Sequence, residues 1–457
     1  MAQLKALDTA FLKAQDPDQH ASLAIGAVAI VDGAVPAYEQ LKSLLVERIQ
    51  SIPRCTQLLR SHPFSPGWID YPAFDLTYHL RRVAIPCPGD DTELSRAIAH
   101  ALERPLDLAR PPWECWVIEG LKGNRWAILM KIHHCLAEGN SAAHLLARLC
   151  DDADSNTFAN HIGAKRVSPP QNDRRGWVDA LWRVTGVAGT VTGTLTGAIW
   201  PAARTSSIDA VTTMRRYSTV RVPIAEVDSV CRKFGVTAND VALAAITEGF
   251  RTVLLHRGEQ PRADSLRTLV PMPVHSAMLS YLPVEHDDPV KRLRTVHNRW
   301  KVSQTDPRPS GGIVESAINC LPAMLRSNVI QLLARLPQRS LVTLATNVPG
   351  PRDQLRLMGQ TMERLLPIPP TAVQLSTGVA VQSYGDELVF GITAEYSAAF
   401  DIRQLAAGIE LGMARLLALS QDSVLLFGKD HRRKGSSRAF PSHAQRAQPS
   451  APGQAPH

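Results

Sequence analysis

The chain has no Cys-x-x-Cys pair: its seven cysteines stand apart at Cys55, Cys87, Cys115, Cys135, Cys150, Cys231 and Cys320. That scatter, odd in number, argues against both a zinc site and a disulfide framework. Aromatic residues are few, at 5%, and nowhere interleave with clustered Lys and Arg as a folded nucleic-acid binder requires. The N-terminus lacks an unbroken apolar run, because Lys5, Asp8 and Lys13 interrupt residues 1–16. A signal peptide is therefore not expected, and the chain is expected on the cytoplasmic side. No internal repeat is visible.

What is present describes a globular protein. Apolar residues make up 44% and charged residues 20%, which excludes a disordered or fibrous class. A chain of 457 residues is longer than one core comfortably serves, so two lobes are expected. The net charge of +8 is concentrated in part at Lys429-Asp430-His431-Arg432-Arg433-Lys434. A basic tail of this kind suits an anionic membrane surface.

Alternating helical and extended patterns give an α/β class. Residues 37–50 carry a helical stripe of Leu41, Leu44, Leu45 and Ile49, and residues 91–103 another of Leu94, Ile98 and Leu102, with Asp90 and Glu93 resembling a capping box. Trp126 to Ile132 reads as a buried strand, followed by a polar turn and a helix from about Ser141 to Cys150. Further on, Val220, Val222 and Ile224 alternate as a strand, and a helix runs to Phe234. Thr237 and Asp240 cap a helix that reaches about His256. Strands are expected at 267–274, 340–346, 375–384 and 387–394, and a last helix from Asp401. The expected organisation is an N-terminal lobe over 1–162, a linker over 163–217, a C-terminal lobe over 218–427 and a disordered basic tail over 428–457. Within the linker, Val184–Ala203 is uncharged, with glycines at 186, 189, 193 and 197 on one helical face. A surface-packed or interfacial helix is favoured there over a membrane span or a flexible connection.

The strongest chemical signal is His133-His134-Cys135-Leu136-Ala137-Glu138-Gly139, set between the buried strand and a helix. A rigid strand opening into a solvent-facing turn is a good mount for reacting groups. A histidine near its ordinary pKa of ~6.5 can accept a hydroxyl proton at neutral pH, provided a neighbouring carboxylate or backbone group fixes its orientation. Gly139 permits a tight turn into the helix. The competing readings are a histidine pair with no role and a metal site using His134 and Glu138. Against the metal, adjacent side chains diverge, and the spacing matches no zinc-protease motif. Cys135 as a nucleophile is disfavoured, because a direct sequence neighbour is poorly placed to activate it.

His-His-x-x-x-acid-Gly resembles the signature of the CoA-dependent acyltransferase superfamily, which includes chloramphenicol acetyltransferase and the condensation domains of peptide synthetases. The wider sequence is similar to the bacterial wax ester synthase/acyl-CoA:diacylglycerol acyltransferase family. The resemblance rests on Leu7–Leu12, Pro105–Glu114, Trp116–Leu121, Thr237–Val241, Val270–Val274, Thr346–Pro351 and Ser383–Asp386, in family order. It implies a two-lobe chloramphenicol acetyltransferase-like fold, with a mixed sheet and helices in each lobe and a tunnel between them for the substrates. The implied reaction moves a long-chain acyl group from acyl-CoA, a co-substrate, to a lipid hydroxyl. Diacylglycerol is the first choice of acceptor and a fatty alcohol the second. No bound cofactor or metal is implied, and a membrane or lipid-droplet surface is a plausible setting. His134 would be the general base, with His133 and Glu138 in support. Asn239, Asp240, Asn347, Pro349 and Gly350 would position substrate or shape the tunnel wall, although Asp240 could simply cap its helix and Asn347 simply hold a turn.

Two positions depart from the family pattern. Glu138 stands where Asp is usual, one methylene longer, and Pro112 where Leu usually precedes the tryptophan. A displacement of ~1 Å in the base could cost about 100-fold in rate. Glu138 therefore keeps open a lipid-binding protein of this fold with little catalysis. A transferase that takes its acyl group from a carrier protein is the other alternative.

Overall fold

A computed structural model describes residues 24–60, 67–133, 136, 142–151, 214–271, 277–305, 341–348, 350, 351, 353–369, 377–395 and 399–421. His134, Glu138, Gly139 and Pro349 lie outside these residues, as do the segment 184–203 and the tail 428–457.

Two six-stranded sheets organise the described chain. The first runs in the order β11 (Arg356–Leu357), β12 (Gln360–Ile368), β1 (Ala24–Asp32), β6 (Arg125–His133), β5 (Trp113–Leu121) and β4 (Leu80–Ala84). All its pairs are antiparallel except β4 with β5. Strand β6 is apolar on both faces because both are covered, as a central strand demands. Ile128, Met130 and Ile132 meet Leu41, Leu45 and Ile49 of α1 (Tyr38–Gln50). Ala127 and Leu129 share a second core with Leu94, Ile98 and Leu102 of α2 (Asp91–Glu103). Asp90 caps α2 by accepting from the backbone N–H groups of Thr92 and Glu93. The short β2 (Gln57–Arg60) and β3 (Gly67–Asp70) pair separately, and α3 (Ala142–Ala147) follows β6.

The second sheet runs β7 (Arg215–Pro223), β14 (Glu387–Glu395), β13 (Thr377–Tyr384), β10 (Leu341–Val348), β8 (Arg267–Pro271) and β9 (Ala277–Tyr281). With it come α4 (Ile224–Phe234), α5 (Ala238–His256), α6 (Pro289–Thr305) and α7 (Ala399–Gln421). Ile224, read as strand from its alternation, is instead the first residue of α4. The sequence pattern also passes over α6, whose run Val-Lys-Arg-Leu-Arg-Thr-Val-His is mostly polar. A buried ion pair anchors that helix: Arg292, 1% exposed, meets Glu248 of α5, and Arg415 of α7 reaches the same carboxylate at 2.9 Å.

The sheets do not follow the division of the chain at residue 218. After β10 the backbone crosses to the first sheet, lays β11 and β12 beside β1, and returns as β13. Strand β12 is thus the seam. The Tyr217 hydroxyl donates to Pro367 O at 3.0 Å, and the Tyr384 hydroxyl donates to Met362 O at 2.7 Å. Val389 and Tyr217 of the second sheet enter the α2-side core of the first. No helix among the described residues is long and apolar enough to cross a membrane.

Candidate active site

Strand β6 ends at the first histidine of the motif. His133 is its last residue, fully buried, paired in register with Ala24 of β1. Its backbone N–H donates to Pro112 O at 2.9 Å, which ties the strand end to the approach of β5. Strand alternation puts His133 on the face of Lys131, Leu129 and Ala127, the face shared with α2 and the second sheet. Beyond it only Leu136 of the motif is described, and it is buried in the other core.

The approach to β5 is tightly built. Trp113, 1% exposed, donates its indole N–H to Cys55 O at 2.8 Å. His79 stacks on it at 4.5 Å between ring centroids and is itself covered by Phe74. His79 Nδ1 lies 2.9 Å from Trp113 O, so this nitrogen carries the hydrogen. Burial pushes the His79 pKa down, which keeps the ring neutral. Burial likewise pushes the thiols of Cys55 and Cys115 up to about 12, so neither supplies a thiolate at neutral pH.

Lys131 and Glu114 face each other across β6 and β5. The ammonium, wholly buried, lies 3.7 Å from the carboxylate and donates to Ala101 O at 2.8 Å and to Arg104 O. Burial lowers its pKa from 10.5 to about 8, with Glu114 opposing the fall. The unfolded chain therefore holds this proton more tightly, and the charged lysine weakens the fold; the penalty is relieved as pH rises through the window from about 8 to 10.5. We expect the unfolding free energy of the natural protein, measured relative to Lys131→Met, to rise across that window by on the order of 1–3 kcal/mol. Parallel pH profiles in denaturant titrations would refute this account of Lys131. A lone lysine inside an apolar strand was the sequence signal for this pair, although its partner lies on another strand.

In the second lobe, Asp240 and Thr237 form a complete capping box at the start of α5. Asp240 does more than cap. Its Oδ2, which accepts from Thr237 N and Oγ1, also lies 2.9 Å from His297 Nδ1 on α6. The next-door Asn239 has a buried Oδ1 that finds no hydrogen-bond partner among the described residues. Asn347 is placed by its backbone near the end of β10. Gly350 follows, pressed so closely on β13 that a Cβ there would stand 1.4 Å from Ser383 O; only glycine fits. Nothing in the sequence around His297 marks it as the partner of Asp240.

Similarity to known proteins accords with this arrangement. The model of the wax ester synthase/diacylglycerol acyltransferase catalytic domain matches residues 4–242, and that of the family's C-terminal domain matches residues 275–416. A putative diacylglycerol O-acyltransferase of Mycobacterium tuberculosis H37Rv is 65% identical over 99% of each chain. A probable diacylglycerol O-acyltransferase of the same strain is 45% identical, covering 92% of this chain and 97% of that one. Among solved structures, the wax ester synthase/diacylglycerol acyltransferase of Marinobacter aquaeolei VT8 superposes with a TM-score of 0.63 at 22% identity, covering 92% of this chain and all of that one. The first condensation domain of the calcium-dependent antibiotic synthetase gives 0.55 at 14% identity, over 92% and 96%. These place the fold in the two-lobe chloramphenicol acetyltransferase-like class. With both halves matched by the family's own models, the chain belongs to the wax ester synthase/diacylglycerol acyltransferase family.

Proposed function

We propose that this protein transfers a long-chain acyl group from acyl-CoA to the free hydroxyl of diacylglycerol, releasing triacylglycerol and CoA. The observation that carries the reading is the 65% and 45% identity, over 92% or more of this chain, with mycobacterial proteins named as putative and probable diacylglycerol O-acyltransferases. The placement of His133 supports it. Strand β6, clamped between β1 and β5, ends at a buried His133.

In this mechanism His134 takes the proton of the acceptor hydroxyl as its oxygen attacks the thioester carbonyl. The tetrahedral intermediate collapses with cleavage of the carbon–sulfur bond, and the same imidazole returns the proton to the departing thiol. One ester forms and one thioester breaks, with no net proton change. His133 and Glu138 hold the turn. Asn239 and Asp240, with the tunnel-wall segment of Asn347, Pro349 and Gly350, position the substrates.

The test is CoA release by the purified full-length protein given palmitoyl-CoA with diacylglycerol or with hexadecanol, beside Glu138→Asp. The expected result is turnover by the unmodified protein without any carrier protein, faster with diacylglycerol. Silence from the unmodified protein, with activity only in Glu138→Asp, would mean a lipid-binding protein that keeps the fold without efficient chemistry.

A further inference from the structure

At the edge of the first sheet, where β4 and β5 begin, lies a pocket of about 420 Å³ that the mechanism above does not use. Three separate segments build it: Tyr78–Arg81 at the start of β4, the loop Arg104–Pro111 after α2, and Trp113 with Glu114 at the start of β5. Its position is fixed relative to the motif, because Pro112, between two lining residues, accepts the backbone N–H of His133.

The charges around the pocket do not balance. Arg81, Arg104 and Arg110 line it, against two carboxylates, Asp107 and Glu114, the second of which also faces Lys131. Glu114 is shared by three cations: Oε1 stands 3.4 Å from Arg81 Nε and 3.8 Å from Arg104 Nε, while Oε2 stands 3.7 Å from Lys131 Nζ and accepts from Trp116 Nε1 at 3.1 Å. Both guanidiniums approach through Nε at long range, so neither makes the two-nitrogen fork of a committed arginine–carboxylate pair. Arg110 stacks on Tyr78 at 4.0 Å and meets Asp107 at 3.2 Å. Arginines held at a pocket wall and only partly neutralised are suited to an incoming anion, and planar guanidiniums favour phosphate.

We propose that this pocket is a phosphate-binding site, seating a phosphate of the acyl donor or of an anionic lipid. On the reading that acyl-CoA is the donor, the phosphates of its adenosine end are one source of that group; the headgroup phosphate of an anionic lipid is the other.

The test uses the full-length protein and the double variant Arg104→Gln/Arg110→Gln, both sites being more than a third exposed and so removable without loss of the core. Arg96→Gln/Lys122→Gln, which removes equal charge elsewhere, is the control. Binding of CoA and of dephospho-CoA is measured by calorimetry, and binding to phosphatidylglycerol and phosphatidylcholine vesicles by flotation. The expected result is CoA binding weakened about tenfold in the pocket variant and unchanged in the control. Dephospho-CoA binding unaffected by the substitutions assigns the 3′-phosphate, and an equal loss assigns the diphosphate. Unchanged CoA binding with lost flotation on phosphatidylglycerol alone assigns a lipid phosphate. Asp107→Asn, which keeps its acceptor for Ala109 N–H, is expected to tighten the same ligand two- to threefold. If the pocket variant changes neither CoA binding nor flotation, or the control loses as much, the site is not there. Because binding is read without turnover, failure of the proposed reaction leaves this result independent.

Discussion

His134→Ala is expected to lower CoA release by about a thousandfold while leaving the unfolding midpoint nearly unchanged, as general-base removal typically does. His133 gives the contrast. It is fully buried at the end of β6 with β1 on one side and the Pro112 segment on the other, so His133→Ala removes packing and is expected to lower stability and activity together. Measuring both variants by CoA release and by thermal unfolding separates the two roles. If His134→Ala kept more than about a tenth of the turnover, a base contributing on the order of 100-fold or more would have to be sought elsewhere. His297, held by Asp240, would then be the next side chain to replace.

Gly391→Ala should be among the most damaging single methyls in the described protein. Gly391 lies on β14 where the second sheet presses on β12, and a Cβ there would stand 1.8 Å from Pro367 O. The obstacle is backbone in a central seam, already bonded to the Tyr217 hydroxyl, so it has no easy way to retreat. Overpacking typically costs about 1–3 kcal/mol where side chains can adjust, and more where backbone must move. A loss of at least about 3 kcal/mol, or about 3–5 °C in midpoint for a chain of this length, is therefore expected. Gly67→Ala is the matched control, because a Cβ at Gly67 meets nothing within 4 Å, and it should be close to neutral. Equal midpoints for the two variants would show that the sheets do not meet at Pro367.

The chemistry and the family were legible in residue order. The His133–Gly139 motif and the blocks from Leu7 to Asp386 are local strings, and strings survive without coordinates. So were elements whose cause is local: α2 over 91–103 from its apolar stripe and Asp90 cap, and α5 from the Thr237–Asp240 box. Strands 377–384 and 387–395 followed from one compact turn between two runs rich in β-branched and apolar residues.

Other features depend on pairings that no local pattern encodes. Strand β1 is small and uniformly apolar, with no alternation, because both of its faces and both of its edges are covered, by β6 on one side and β12 on the other. The partners of β1 come from far along the chain, so dividing the chain into consecutive lobes could not foresee that residues 356–368 complete the first sheet. Helix α6 escaped notice because an arginine, held by Glu248, takes a buried place that a periodicity search reserves for leucine. The arginine pocket is assembled from three segments that meet only where β4, β5 and the loop after α2 converge. Sequence alone determined the family and the local elements, since both are properties of neighbouring residues. Tertiary structure decided what surrounds them, because burial, charge balance and close backbone approach are set by residues distant in the chain.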